Sequence, residues 1–419
     1  MRVTPKQLSG ACAALSDALR FEHPADGVLS AYFREQKVLG ARDRAFIAET
    51  VYAVLRRKRS LSRVIGVPVT PRRLILAQLV RHAGLSQRAL EGLLETGEAD
   101  WLARLKSEPE PELTLAEQAD LPDWLVDMLT PHMSGEKLLE LARSLNTGAP
   151  LDLRVNPLKA SRDAVLEQLK ADGYEAEAGR ISPLSIRLRS KPALTRYTLY
   201  QQGQIEVQDE GSQLLAYLVA PKRGEMVVDF CAGAGGKTLL LGALMRSTGR
   251  LYAFDVSEKR LARLRPRVAR AGLSNVHPVC ISSENDVRVK RLAGKIDRVL
   301  VDAPCSGLGT LRRNPDLKWR QTAEGVAELV RKQQDILSGA ARLVKPGGRL
   351  VYATCSILPQ ENEDVVAAFL AAHEDFSQIP ATRVLGQQQI TLDTGDALRL
   401  SPQQHDTDGF YAVVLERRK

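Results

Sequence analysis

Aromatic residues make up only 5% of this 419-residue chain, too few for the stacking platforms that hold single strands across many bases. No run of about 18 apolar residues occurs, which excludes a membrane-spanning helix. The amino-terminal stretch MRVTPKQLSG lacks the charged-then-apolar pattern of a secretion signal. A cytoplasmic protein with no membrane partner is therefore expected. Cysteine is scarce and scattered: Cys12, Cys231, Cys280, Cys305 and Cys355 show no CxxC spacing, and the histidines do not cluster. That excludes a zinc finger or similar metal site. An odd cysteine number in a cytosolic chain also argues against a disulfide framework, so any cysteine of interest here is a reactive one. One further residue is missing. A Walker A loop requires glycine five positions before its Gly-Lys-Thr glycine, and Cys231 stands there, so the stretch VVDFCAGAGGKT is not a P-loop.

That stretch, Val227 to Thr238, is the centre of what is present. The short apolar run Met226 to Phe230 has strand length, and it enters a glycine turn that opens a helical pattern from Thr238 to Met245. Strand, glycine turn and helix open a doubly wound sheet, with unpaired N–H groups and a positive dipole end at the helix start. The spacing of Gly233, Gly235 and Thr238 fits a dinucleotide fingerprint only loosely. Asp255, which ends the next strand-like run Leu251 to Phe254, fits better: a carboxylate there can grip a ribose hydroxyl pair. A nucleoside cofactor with no firm demand for phosphate follows, and S-adenosylmethionine is such a molecule.

The formal charge of +9 and pI near 9.3 favour a polyanionic partner. Residues 1 to 145 carry apolar positions at helical spacing throughout and predict an all-helical bundle. Its polar faces are rich in arginine, and Arg72 and Arg73 open a helix, where the dipole disfavours cations. RNA contact by this domain is expected. Leu151 to Asn156 and Ser185 to Leu188 read as strands around a helix from Arg162 to Gly173, giving a small α/β subdomain over 150–220 that ends in a helix from Glu210 to Val219. Over 221–419, strands at 226–230, 251–254, 276–281, 298–301, 350–353 and 410–416 alternate with helices, which predicts a parallel sheet. The fold class is thus multidomain: an all-α bundle, a small α/β subdomain and a Rossmann-like α/β domain.

In such sheets, ligands bind beyond the carboxyl ends of the strands. Two of those ends carry thiols, Asp302-Ala303-Pro304-Cys305-Ser306-Gly307 and Ala353-Thr354-Cys355-Ser356. Buried cysteines are common, but these two follow their apolar runs and are bounded by turn residues. A nucleophilic thiol needs a cation or helix start nearby; Arg312, Arg313, Lys318 and the helix start near Glu361 are the expected suppliers. A thiolate beside S-adenosylmethionine suits pyrimidine C5, which becomes nucleophilic once a cysteine adds to C6. Asp302 stands where a carboxyl can meet N3, and a second thiol can assist release of the first.

DFCAGAGGKT, VLVDAPCSGLGTLRRNPDLKW, KPGGRLVYATCS and PQENEDVV resemble the RNA cytosine-5 methyltransferases of the Sun family, and within it the bacterial small-subunit (16S) ribosomal RNA enzymes. Their amino-terminal domain is similar to the antitermination factor NusB. The resemblance covers essentially the whole chain. It implies Cys355 as nucleophile and Cys305 in product release, although DNA cytosine-5 methyltransferases use the Pro-Cys thiol for attack. It also implies cofactor contacts from Cys231, Ala232, Gly233, Ala234, Gly235, Gly236, Lys237 and Asp255, with Asp302 bordering cofactor and base. An adenine contact is implied within Ser282 to Asp286, for which Asp286 is the choice. Arg312, Arg313 and Lys318, directly after the Pro-Cys turn, are expected to meet RNA phosphates. The expected protein is a monomeric 16S ribosomal RNA cytosine-5 methyltransferase without a metal; a transfer RNA enzyme and a non-catalytic RNA-binding or assembly factor are the rivals.

Overall fold

The structure, a computed structural model, describes residues 3–107, 109 and 111–419. The chain forms two compact units, Met1–Gly148 with Thr310–Ala323, and Ala149–Gly309 with Glu324–Lys419.

Every regular element of the first unit, among the described residues, is helical. Its core is the apolar stripe of helices Pro5–Ala18, Ala41–Arg56 and Pro71–Arg81, where Leu15, Ile47, Val51, Leu55 and Ile75 are fully buried. Helix starts are fixed by side chains: Thr4 forms a capping box with Gln7, and the Thr70 hydroxyl accepts from the Arg73 N–H. The sequence does not show that Thr310–Ala323, although encoded between two strands of the other unit, packs in this helical unit. The Trp319 indole donates to the Leu55 carbonyl at 2.8 Å, and Lys58 lies 4.9 Å from the centre of its ring.

The second unit begins with an antiparallel sheet of β1 (Leu151–Val155), β2 (Ala176–Ala178), β3 (Ser185–Leu188) and β4 (Ile205–Val207) in the order β2-β3-β1-β4. Helix Arg162–Ala171 packs Val165 and Leu169 onto Leu153, Val155 and Ile186. Only β1 and β3 were legible in the sequence, because three-residue strands are too short to show alternation. The buried helix Glu210–Val219 then leads into the main sheet.

That sheet comprises β5 (Met226–Asp229), β6 (Arg250–Asp255), β7 (Val276–Cys280), β8 (Ile296–Asp302), β9 (Val344–Thr354), β10 (Phe376–Ile379), β11 (Leu398–Leu400) and β12 (Phe410–Arg417). Its order is β10-β12-β9-β8-β5-β6-β7, with β11 pairing β12. The five strands from β9 to β7 are parallel, and the inner ones, such as β5 and β8, are largely buried and correspondingly rich in Val and Leu. The expectation of a wholly parallel sheet is corrected at the far edge, where β12 runs antiparallel to β9 and β10 runs antiparallel to β12. An apolar run such as FYAVVL fixes burial on both faces but not strand direction. The chain order reverses between β5 and β8, and this switch point opens a crevice at the carboxyl ends.

Candidate active site

Five strand ends converge on that crevice. The turn after β5 is set by two glycines with positive φ, Gly233 at +57° and Gly235 at +87°. At Gly235 a side chain is disfavoured, since φ is positive and a Cβ would lie 2.1 Å from Leu264 Cδ1, which would have to move. Ala232 donates to Phe254 O and Gly233 to Asp255 Oδ2, both at 2.8 Å, so the loop is anchored to the end of β6 before helix Gly236–Leu244 begins.

The cavity over these ends has a volume of about 750 Å³. Cys231, Ala232, Gly233, Ala234, Gly236, Lys237, Asp255, Asp302, Cys305 and Cys355 all line it, and Gly235 shapes the loop between them. Val256, 61% exposed, and Ile281 supply apolar wall beside Asp255. Asp229 adds acidic oxygens: its Oδ2 accepts from the Thr238 hydroxyl at 2.7 Å, while its buried Oδ1 has no partner. An apolar wall, a carboxylate for a ribose and an orphaned acidic oxygen fit S-adenosylmethionine, which presents adenine, ribose and two cationic centres.

Burial raises the Asp229 carboxyl to about 7. The folded chain therefore favours the protonated acid, a contribution fully present below about pH 4 and lost as pH rises through 7. Asp229→Asn is expected to remove this dependence. Measured by denaturation without cofactor, wild type should lose up to about 4 kcal/mol relative to the variant between pH 4 and pH 8.

Strand register brings the thiols together. Asp302 pairs with Ala353 across β8 and β9, so Cys305 and Cys355 emerge at the same edge. Their sulfur atoms are 3.4 Å apart. The hydrogen bond to Cys355 and burial both push the Cys305 thiol well above its usual pKa, so Cys305 is the sulfur that keeps its proton. Cys231 is also pushed well up, by burial and then by the charges of Asp302, Asp229 and Asp255, which leaves it an inert neutral wall.

Lys237 is the cation of the site. Its Nζ donates to Asp302 Oδ2 at 2.6 Å, and its side chain is 14% exposed. Burial works against the ammonium, but the charge and hydrogen bond of Asp302 outweigh it and hold its pKa above the usual lysine value, with a further contribution from Cys355. The positive charge beside the thiols thus comes from the glycine-turn helix and not from the segment after Pro304-Cys305. Sequence reasoning placed Lys237 only at the cofactor; its distance from Asp302 depends on strand order, which spacing along the chain does not encode.

Two further expectations are corrected. Asp286 does not line the cavity: its Oδ2 accepts from Ser282 N at 2.8 Å and from Arg288, its Oδ1 accepts from Arg288 N, and it caps helix Val287–Lys290. The Arg288 guanidinium holds its pKa well below the carboxylate range. Ser282, Ser283 and Glu284 are the residues of that stretch that face the cavity. Likewise, Lys318 is fully buried in the helical unit, donating to Arg56 O and Asn146 Oδ1 at 2.8 Å each. Arg312 is buried there too, donating to Gly148 O at 3.1 Å. Arg313, half-buried, belongs to the same segment. Arg72 is held by Glu98 at 2.7 Å and Arg73 lies over Trp101. Much of this arginine-rich pattern therefore builds the helical unit.

Lys318 gives a direct test, because burial lowers its pKa to about 7 and it serves packing. Lys318→Ala is expected to lower the melting temperature of the full chain and to leave the salt dependence of RNA binding unchanged. A lost phosphate contact would instead reduce the slope of log K against log salt by about one.

An open α/β sheet with this nucleoside-shaped cavity and its acidic wall is the catalytic unit of an S-adenosylmethionine-dependent methyltransferase. Comparison with known proteins narrows the class. A family described as "16S rRNA methyltransferase RsmB/F" matches residues 216–416, and its ferredoxin-like domain matches residues 121–195. The chain is 34% identical to the Synechocystis sp. protein named "Probable ribosomal RNA small subunit methyltransferase B", over 90% of this chain and 92% of that one. It is 31% identical to ribosomal RNA small subunit methyltransferase B of Shewanella oneidensis, covering 91% and 92%. The crystal structure of PH0851 superposes with a TM-score of 0.81 at 27% identity, over 100% of both chains. The chain belongs to the RsmB/F family of small-subunit ribosomal RNA methyltransferases.

Proposed function

We propose that this methyltransferase modifies C5 of a cytosine in 16S ribosomal RNA through a covalent bond between Cys355 and C6 of the base. The observation that carries the reading is the pair of sulfur atoms 3.4 Å apart in a cavity that also holds the Lys237–Asp302 ion pair. A methyltransferase acting on an oxygen or an exocyclic amine has no use for two adjacent thiols.

Cys355 attacks C6 as the thiolate, with the Lys237 ammonium nearby. Charge then develops over N3 and C5. Asp302 accepts from the exocyclic amine, which distinguishes cytosine from uracil, and Lys237 is the proton source for N3. S-adenosylmethionine, when bound, supplies the electrophilic methyl group. Once Cys355 is bonded to C6, the hydrogen bond that holds the Cys305 proton is gone; Cys305 gives that proton up to solvent and, as the thiolate, takes the C5 proton, the N3 proton returns to Lys237, the C5–C6 double bond re-forms, and the Cys355 thiolate leaves. The base must be unstacked to reach this depth, which favours RNA that is single-stranded or not yet assembled.

Purified enzyme incubated with S-adenosylmethionine and either unmodified 16S ribosomal RNA or unmodified transfer RNA tests the reading by nucleoside analysis and bisulfite mapping. 5-Methylcytidine in the 16S RNA alone is expected. Methylation of transfer RNA, or a methyl group at another atom, would replace it.

A further inference from the structure

Both serines that follow the paired thiols are held by one buried carboxylate. Glu361, in the 3₁₀ turn Pro359–Glu361 after β9, is fully buried. Its Oε1 accepts from Ser306 N at 2.8 Å, and its Oε2 accepts from the hydroxyls of Ser306, at 2.5 Å, and Ser356. Gln333, from helix Ala323–Ala341, donates Nε2 to Oε1 at 2.9 Å and to Pro304 O at 3.0 Å. Four donors thus converge on two oxygens, as an ionised carboxylate requires. The turn is itself fixed, because Tyr352 donates its hydroxyl to Glu361 O at 2.6 Å. Asn362 adds a bond from its Nδ2 to Ser356 O at 3.1 Å.

From this geometry we infer that Glu361 is the positioning residue of the thiol pair, tying the Pro304-Cys305-Ser306 loop to the Thr354-Cys355-Ser356 loop and directing the shared proton to Cys305. Glu361 makes two bonds to Ser306, the residue next to Cys305, and one to Ser356, and its negative charge disfavours a thiolate at Cys305. The proposal rests on the two-thiol reading above in taking Cys355 as the sulfur to be freed. A carboxylate in this place does two things that a neutral amide cannot: it accepts from all four donors, and it biases the proton between the sulfurs.

The test uses the full-length enzyme without RNA, so that it does not depend on which base is methylated. Iodoacetamide is applied across a range of pH, and the alkylated Cys305 and Cys355 peptides are quantified by mass spectrometry. Wild type should be alkylated chiefly at Cys355. In Glu361→Gln, the ratio should move toward Cys305 by about tenfold or more, one pKa unit being a factor of ten, while Glu361→Asp, which keeps the charge, should restore much of the wild-type ratio. Turnover on RNA should fall roughly 10²-fold in Glu361→Gln, as for a misplacement of about 1 Å, with S-adenosylmethionine affinity within about twofold of wild type. If Glu361→Gln does not fold, Ser306→Ala with Ser356→Ala cuts the two hydroxyl contacts and should shift the same ratio. An unchanged ratio in the variant that folds overturns the proposal. A shifted ratio in an enzyme whose wild type makes no 5-methylcytidine overturns only the function reading.

Discussion

Replacing Cys355 by alanine is expected to lower methyl transfer roughly 10⁴-fold or more, since in the proposed mechanism it removes the covalent step that activates C5. Replacing Cys305 should have a different signature. On the proposed mechanism the Cys305→Ala enzyme can still attack, because Cys355 keeps its Lys237 neighbour, but it lacks the thiol assigned to removal of the C5 proton. A protein–RNA adduct stable to denaturant should therefore accumulate in Cys305→Ala and be absent from Cys355→Ala. The physical basis is the 3.4 Å separation of the two sulfur atoms, with Cys305 held neutral by the bond to Cys355 and by burial and Lys237 beside Cys355. The inverse pattern on a denaturing gel would exchange the two roles.

Asp302→Asn is expected to be nearly as damaging. It removes the partner of a largely buried lysine, and with it the raised pKa of Lys237 and the contact proposed for the exocyclic amine. Transfer should fall about 10²- to 10⁴-fold, the usual range for a lost acid–base contact. Stability should fall as well, by less than the roughly 3–5 kcal/mol of a fully buried broken pair, because the Asp302 side chain is 27% exposed. The pH dependence follows from the sign of the shift. Lys237 has its folded pKa above 10.5, so the stability it contributes is fully present below that pH and is lost as pH rises through the folded value. The gap between wild type and Asp302→Asn should be constant across neutral pH and close only in strong alkali. A gap that opens between pH 6 and 8 would mean another group is responsible.

What the sequence made legible was whatever depends on local pattern. The turn after β5, the carboxylate ending β6 and the two thiols after β8 and β9 could all be read from an apolar run followed by turn residues. What it hid depends on which strands are neighbours. The Lys237–Asp302 pair joins residues far apart in the chain, and it forms because β5 and β8 are adjacent in the sheet. Glu361 looks like one more acid in a charged stretch until the turn carries it beneath both serines. The basic segment after Cys305 misled for a related reason. Arg312 and Lys318 look like solvated cations in one dimension, but their heads are used to close carbonyls inside the helical unit. Asp286 shows the same limit on a small scale, since an acid just after a strand serves equally as ligand or as helix cap, and here Arg288 and the Ser282 amide claim it.

The most direct measurement uses 16S ribosomal RNA synthesised with 5-fluorocytidine, whose C5 substituent cannot leave as a proton, so that an enzyme attacking C6 stays attached to the base after transferring its methyl group. Digestion of that trapped complex and mass spectrometry of the peptides should find the modified nucleotide on Cys355. Its appearance on Cys305, or the recovery of methylated RNA with no nucleotide on either sulfur, would contradict the shared-cavity chemistry inferred from the paired thiols.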